Sequence, residues 1–376
     1  MDYHVFPDWD NSILNVSATM QDYLGVTNDI PKLRPLQSAL SRGYKNVVLV
    51  VVDGMGMSIL DRHLSKSFLR SHVAQTVTGV FPSTTTNATT TLMSATYPAQ
   101  HGWFAWAMNF ADVNQTVMLF KNADYYTGEP MAMDDFARTR LPYINFYADA
   151  NIDAYTLMPR QIQVKPNAGD IGYFDNTRDM FHQLDTLCAA GGQKFVYTYH
   201  CDLDSTMHKY GPSSRQTKKM AKSLDRGFRK LAARNTDTLF VITADHGQID
   251  VAGCVDIWRD ADVMECLAQN ISLDPRGAAF HIKSGMHDKF VAAMEKYKPD
   301  FALYPTDDLI NKNIFGPFAK NRNREFLGDF IAIGTGTNKI LSMAPGKENS
   351  SKTNAPYRGH HTGLTPEEMV LPLIII

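Results

Sequence analysis

Cysteine is scarce in this chain: four in 376 residues, at Cys188, Cys201, Cys254 and Cys266, with no CxxC spacing. That excludes a disulfide framework and fits reduced thiols. Long apolar runs are missing too. The longest, 47–52 and 369–376, fall far short of the roughly 18–20 residues that cross a bilayer. Nor is there an excess of positive charge: 37 Lys and Arg face 39 Asp and Glu, a net charge of −2. No nucleic-acid surface or polybasic membrane patch is expected from such a balance. The opening residues, MDYHVFPDWDNS, are acidic and lack the basic and apolar regions of a signal peptide. Internal repeats and low-complexity segments are absent. The expectation is a soluble, cytoplasmic protein with reduced thiols, with its oligomeric state open.

What is present is ordinary globular composition, 44% hydrophobic and 20% charged, in a chain long for one core. The β-branched run Asn46–Val52 reads as a strand buried on both faces of a parallel sheet. It ends in Asp53-Gly54-Met55-Gly56, and a helix over 58–69 and a strand over 74–80 follow, which suggests a βαβ unit. Further strands are expected at 154–158, 194–199 and 238–243, and helices at 177–189 and 214–234. After Gly247 the pattern becomes a compact alternation of short strands and helices. The fold class expected is therefore α/β: a mainly parallel central sheet flanked by helices, with a smaller α+β lobe inserted. The core would be 1–254 and 351–376, the lobe 255–350, with 369–376 rejoining the core as the last strand. A polar loop over 346–357 precedes that return. The aromatic stretch 103–147 reads first as the private core of an insertion and second as the wall of a substrate pocket.

Chemistry concentrates in a few short segments. FPSTTTNATTTLMSATYPAQHG, from Phe81 to Gly102, suits a strand-to-helix turn with a hydroxyl near a helix N-terminus, expected to start its helix at about Ala88. Such a terminus favours an anion such as phosphate. A threonine there is a poor nucleophile unless a base or metal strips its proton. Elsewhere, residues suited to a divalent metal recur just after hydrophobic strands. Asp53 follows the first strand. Asp204 and His208 are four apart, one helical turn. Asp245 and His246 are adjacent, and His360 and His361 stand before the last strand. Taken alone, the Thr cluster reads equally as a helix cap, and a lone histidine reads more readily as a hydrogen-bonded residue than as a ligand; their joint appearance favours a metal site.

VVDGMG, FPSTT, DSTMHKYGP, TADHG and GHHTGLTPEEM, in this order, resemble the alkaline phosphatase superfamily, and within it the type I phosphodiesterase/nucleotide pyrophosphatase branch. The resemblance implies a parallel sheet between helices and two divalent metal ions, usually zinc, with manganese or magnesium as alternatives, flanking a Thr nucleophile. Carried over by position, it implies that Asp53, Thr85, Asp245 and His246 hold one metal, and Asp204, His208 and His361 the other. Thr84 and Thr86 are the rivals of Thr85, and His360 the rival of His361. One departure stands out: nucleotide-cleaving members carry Asn three residues after the nucleophile, where this chain has Ala88, with Asn87 before it.

The implied activity is a metal-dependent phosphohydrolase, most simply a phosphodiesterase or pyrophosphatase acting on a small phosphate ester. A phosphomonoesterase or phosphomutase on the same core is the alternative, and an inactive metal-binding protein the rival from another class. A sulfatase is not expected, because no Cys/Ser-x-Pro-x-Arg segment is present. The motif segments hold no basic residue but Lys209, which favours a diester over a monoester dianion. Lys283 and Arg324 are the lobe cations that would reverse that preference if they closed over the site.

Overall fold

Strand Asn46–Val52 is entirely buried, as are Lys194–His200 and Thr238–Thr243, so their apolar residues face protein on both sides. Such strands settle in the middle of a sheet covered by helices. The computed structural model describes residues 4–162, 170–318, 322–343 and 357–376, so the expected loop 346–357 lies outside the described residues except for Tyr357. In it, seven strands run in the spatial order Val73–Thr78, Val370–Ile375, Thr238–Thr243, Asn46–Val52, Lys194–His200, Asp153–Pro159, Asp170–Phe174. The last five pair parallel. Val370–Ile375 pairs antiparallel with both of its neighbours.

The sheet is thus mixed rather than simply parallel, within an α/β fold. The chain reaches the last strand from the carboxyl ends of the parallel strands: Gly247 N, just past Thr238–Thr243, donates to Glu368 O at 2.8 Å. From there the strand can only run back against them.

A second sheet is antiparallel throughout, in the order Phe301–Pro305, Phe330–Gly334, Gly277–Phe280, Ser272–Asp274, Ala107–Phe110, Gln115–Met118, Ala123–Asp124. Segment 272–334 supplies four of its strands and segment 107–124 the other three. Ile257, Val263, Phe280, Phe290 and Phe301 form a separate apolar cluster beside the main one. Most aromatics of 103–147 are core: Trp103, Phe104, Phe110 and Phe136 are buried. Trp103 packs edge-on to Tyr143 with ring centres 5.6 Å apart. Trp106, Tyr125 and Tyr126 are only half-buried.

Two helices differ from expectation. The segment 58–69 breaks into Met57–Leu64 and Phe68–Ser71, with Ser67 capping the second by accepting from Arg70 N. The helix after Phe81 starts three residues earlier than its apolar pattern suggests, as Thr85–Ser94, because Thr84 already adopts the extended N-cap conformation.

The turns after the first strand and after Thr238–Thr243 touch backbone to backbone. A Cβ added to Gly56 would stand 2.9 Å from Gly247 Cα, and one on Gly247 would collide with Glu367 O. Gly247→Ala should therefore lower the unfolding free energy by about 1–3 kcal/mol through overpacking. An unchanged denaturation midpoint would show that these turns are not so close.

Candidate active site

The candidate residues come from five segments, each delivered to the carboxyl side of the parallel strands. Asp53 prolongs Asn46–Val52, its N–H donating to His200 O at 2.9 Å. Asp245 and His246 follow Thr238–Thr243, and His361 follows the short strand Gly359–His360, which pairs with Ile249–Asp250. Asp204 and His208 sit on helix Asp202–Tyr210, one turn apart, with His208 Nε2 3.3 Å from Asp204 Oδ2. Thr85 is the first residue of its helix, and its Oγ1 is 3.2 Å from His246 Nε2.

The side chains converge on two overlapping groups. Asp53, Asp245 and His246 bring one ligand atom each within 4.8 Å of one another, and so do Asp204, His246 and His361. His246 Nε2 lies 3.3 Å from Asp53 Oδ1 and 3.5 Å from Asp245 Oδ2. His361 stacks on His246 with ring centres 3.6 Å apart, and its Nε2 is 4.0 Å from Asp204 Oδ1. His246 thus faces both groups. His208 joins the second through Asp204, its ring centre 5.2 Å from that of His361.

The three histidines are set in one tautomer. His208 Nδ1 meets Gly359 O at 2.8 Å, His361 Nδ1 meets Ser83 O at 2.8 Å, and His246 Nδ1 meets Gly247 O at 3.1 Å. A carbonyl only accepts, so each Nδ1 carries a proton and each Nε2 is the nitrogen turned to the carboxylates, the one whose lone pair a cation would take.

The electrostatics point the same way. Burial first, then the carboxylates of Asp204 and Asp245, push Asp53 well above the usual carboxylate range. Burial, then the imidazoles of His246 and His208, hold His361 well below the usual histidine range. Asp53 Oδ1 and Asp245 Oδ2 are buried without a hydrogen-bond partner. Buried carboxylate oxygens left unpaired among lone-pair nitrogens are the donor set of a divalent cation, and mixed oxygen and imidazole donors suit zinc. The residues present fit a metal.

The sequence profile of the type I phosphodiesterase / nucleotide pyrophosphatase family matches residues 47–362. This chain belongs to that family. No curated protein sequence matches it. Among solved structures, murine ectonucleotide pyrophosphatase/phosphodiesterase 5, an inactive form in complex with AMP, is similar at a TM-score of 0.63 and 16% identity over 87% of each chain. Its human counterpart is similar at 0.63 and 16%, over 88% of this chain and 87% of that one. Phosphonoacetate hydrolase from Sinorhizobium meliloti, with phosphonoformate, is similar at 0.60 and 16%, over 89% and 90%. At such identity these likenesses carry the fold, and the family profile carries the class: a phosphodiesterase/pyrophosphatase-type hydrolase.

For this family member, all seven ligand and nucleophile candidates converge, and the alternatives Thr84 and His360 have other contacts. Thr86 is fully buried, and the Thr84 hydroxyl goes to Asp274. His360 turns its Nδ1 to accept from His361 N at 2.9 Å, and burial, then His208, lowers it to about 3. Asn87 donates to Pro82 O at 2.9 Å, bracing the turn. Lys209 lies over Tyr210, Lys283 donates to Glu265 O, and Arg324 pairs with Asp307.

Three supporting residues were not expected. Tyr199 donates to Asp53 Oδ2, and Gln248 to Asp204 Oδ1. Tyr199 is the last residue of an expected strand and Gln248 stands two after His246, so proximity to the motifs was their one signal. Asp274, on Ser272–Asp274, had none. Its Oδ2 accepts from Trp106 N at 3.2 Å. Burial raises Asp274 from 3.8 to about 6, against the lowering effect of the Trp106 N–H and the Thr84 hydroxyl.

A carboxyl raised on folding binds its proton more tightly in the native state. Its contribution therefore favours folding below about pH 4 and is lost as pH climbs to about 6. In metal-free protein, wild type should lose more unfolding free energy across that window than Asp274→Asn. Parallel stability–pH curves for the two would contradict the assignment.

Proposed function

We propose that this chain is a two-metal phosphohydrolase, a phosphodiesterase or pyrophosphatase, with Thr85 as nucleophile and zinc as the metal. The observation that carries this reading is the approach of Thr85 Oγ1 to His246 Nε2, 3.2 Å, beside the unpaired oxygens of Asp53 and Asp245. Asp53, Thr85, Asp245 and His246 would hold one ion; Asp204, His208 and His361 would hold the other. Bound there, two divalent ions supply positive charge to the attacking and leaving oxygens of an in-line phosphoryl displacement.

The chain's own residues do the rest. Thr85 stands at the N-terminus of helix Thr85–Ser94, where first-turn N–H groups and the helix dipole favour a phosphate oxygen. Its Oγ1 would give its proton to solvent and form a bond to phosphorus as the bond to the leaving oxygen breaks, the leaving oxygen taking up a proton from solvent. Water then cleaves the phospho-threonine, releasing phosphate product and restoring the hydroxyl. Tyr199 and Gln248 hold the Asp53 and Asp204 carboxylates in place through their hydrogen bonds.

A diester is the substrate class favoured. Lys209, Lys283 and Arg324 each have partners of their own in Tyr210, Glu265 and Asp307, which supports a diester over the second charge of a monoester. Tyr357, 58% exposed, stands with its ring centre 5.4 Å from that of His208 and offers a face for an ester substituent. The murine relative's complex with AMP makes a nucleotide ester a natural member of the test panel. Ala88, fully buried where nucleotide-cleaving members carry Asn, argues against a substrate restricted to nucleotides.

Metal-replete protein should return two equivalents of metal on elemental analysis, and His361→Ala one; one equivalent or none in wild type would end the two-metal reading. Thr85→Ala should lower turnover of bis-p-nitrophenyl phosphate by orders of magnitude while the protein still unfolds cooperatively, since it deletes the attacking oxygen. Loss of activity in Thr84→Ala or Thr86→Ala, with Thr85→Ala active, would move the nucleophile. Wild type should show higher kcat/KM for bis-p-nitrophenyl phosphate than for p-nitrophenyl phosphate in matched zinc. A monoester preference would make it a phosphomonoesterase.

A further inference from the structure

We propose that the turn Asp274-Pro275-Arg276-Gly277 of the second sheet sets the position of His361 relative to Thr85, with Arg276 and Glu368 as positioning residues. This rests on the reading of Thr85 and His361 given above.

The turn joins two strands that pair antiparallel, with Asp274 opposite Gly277, and it touches both site segments. On one side a Cβ on Gly277 would stand 3.4 Å from the Phe81 ring, at the head of the segment that carries Thr85, and the Thr84 hydroxyl acts against burial to lower Asp274. On the other, Arg276 N donates to Thr362 Oγ1 at 2.9 Å, one residue after His361. Gly277 lies against the same segment: a Cβ there would stand 2.8 Å from Thr362 O.

The Arg276 side chain then grips the far end of that segment. It is 0% exposed, as is Glu368, and the two pair through Nε–Oε1 at 2.7 Å and NH2–Oε2 at 3.1 Å. Two further guanidinium donors go to Lys339 O at 2.7 Å and Thr335 O at 3.2 Å. Glu368 in turn accepts from Gly363 N at 2.8 Å, Thr365 N at 3.1 Å and Thr365 Oγ1 at 2.8 Å. Every hydrogen bond of the carboxylate is thus directed into 363–365 or onto Arg276.

Between these anchors the backbone is strained. Thr362 has φ +99°, a conformation few side-chain-bearing residues adopt. Its N–H reaches Ser83 Oγ at 3.2 Å, and Ser83 Oγ donates to Gly363 O at 2.7 Å. His361 Nδ1 donates to Ser83 O at 2.8 Å. The histidine is therefore pinned to the nucleophile turn itself, and the ion pair holds the strained residue beside it.

A fully buried ion pair is a poor device for stability, because desolvation opposes its attraction. A bidentate fork fixes direction as well as distance, which suits a positioning role. Lysine keeps the charge but loses the fork; glutamine keeps the shape of Glu368 but loses the charge.

The test uses full-length Arg276→Lys and Glu368→Gln beside wild type, with cobalt(II) as the metal probe. Both variants should stay folded and bind one cobalt at least tenfold more weakly, with the other unchanged. At saturating metal, kcat for bis-p-nitrophenyl phosphate should fall on the order of tenfold to a hundredfold with KM nearly constant, as expected of misplaced reacting groups. In metal-free protein the imidazole NMR signals of His361 should shift while those of His101, buried elsewhere, stay. Folded variants with wild-type cobalt binding, kcat and His361 signals would overturn the proposal. So would equal weakening of both cobalt sites with a collapsed melting midpoint, which marks the pair as structural only. If neither variant folds, Gly277→Ala keeps the pair and pushes on Thr362 O, and it must produce the same selective loss or the proposal fails. A wild type that binds no cobalt and turns over no phosphate ester would sink the proposed function, while the metal-free His361 signals still decide the positioning role.

Discussion

Three buried carboxylates facing one another are the constraint this molecule is built to hold. Asp53, Asp204 and Asp245 are all buried, and Asp53 is pushed far towards its neutral form by burial and by the other two. Like charges in a low-dielectric interior repel strongly, so such a group persists only where other bonds hold each member in place. Tyr199 holds Asp53, Gln248 holds Asp204, and Gly54 N donates to Asp245 Oδ1 at 3.1 Å. Three backbone carbonyls orient the histidines, leaving their Nε2 lone pairs towards the acids. An unpaired oxygen on Asp53 and another on Asp245 complete a donor set for cations.

The surrounding fold follows from that demand. Parallel strands end together, so residues just past Val52 and Thr243 arrive side by side with no further device. Their turns must then pass within backbone contact, which Gly56 and Gly247 permit because they lack a Cβ. His361 comes from the far end of the chain, just after the short strand Gly359–His360 that pairs with Ile249–Asp250. Its place is set by the Ser83 carbonyl and hydroxyl, by Glu368 and, through Glu368, by Arg276 of the second sheet. That sheet therefore reaches into the site through one hairpin turn.

Much of this was legible in the residues alone. Continuous β-branched runs disclose doubly buried strands because no polar alternation interrupts them, and each candidate ligand stands next to such a run or in a short motif. Thr85, Asp53, Asp204, His208, Asp245, His246 and His361 all converge in the folded chain. The family profile, 47–362, spans the same motifs up to the start of the last one, through His360 and His361. Helix starts were less legible, since the Thr cluster has no apolar periodicity to mark where Thr85–Ser94 begins.

The sequence by itself determined the parallel strands, the motif residues at their ends and hence the kind of donors gathered there, because each of these is a property of a few consecutive residues. Only the tertiary structure decided the partners. Tyr199 lies 146 positions from Asp53 and Gln248 44 from Asp204, and no local pattern ties them. The antiparallel return of Val370–Ile375, the aromatic core of 103–147 and the hydrogen bonds of the turn around Asp274 and Arg276 belong to the same class. Burial, close approach and hydrogen-bond satisfaction arise between segments far apart in the chain, and they exist only once those segments are packed.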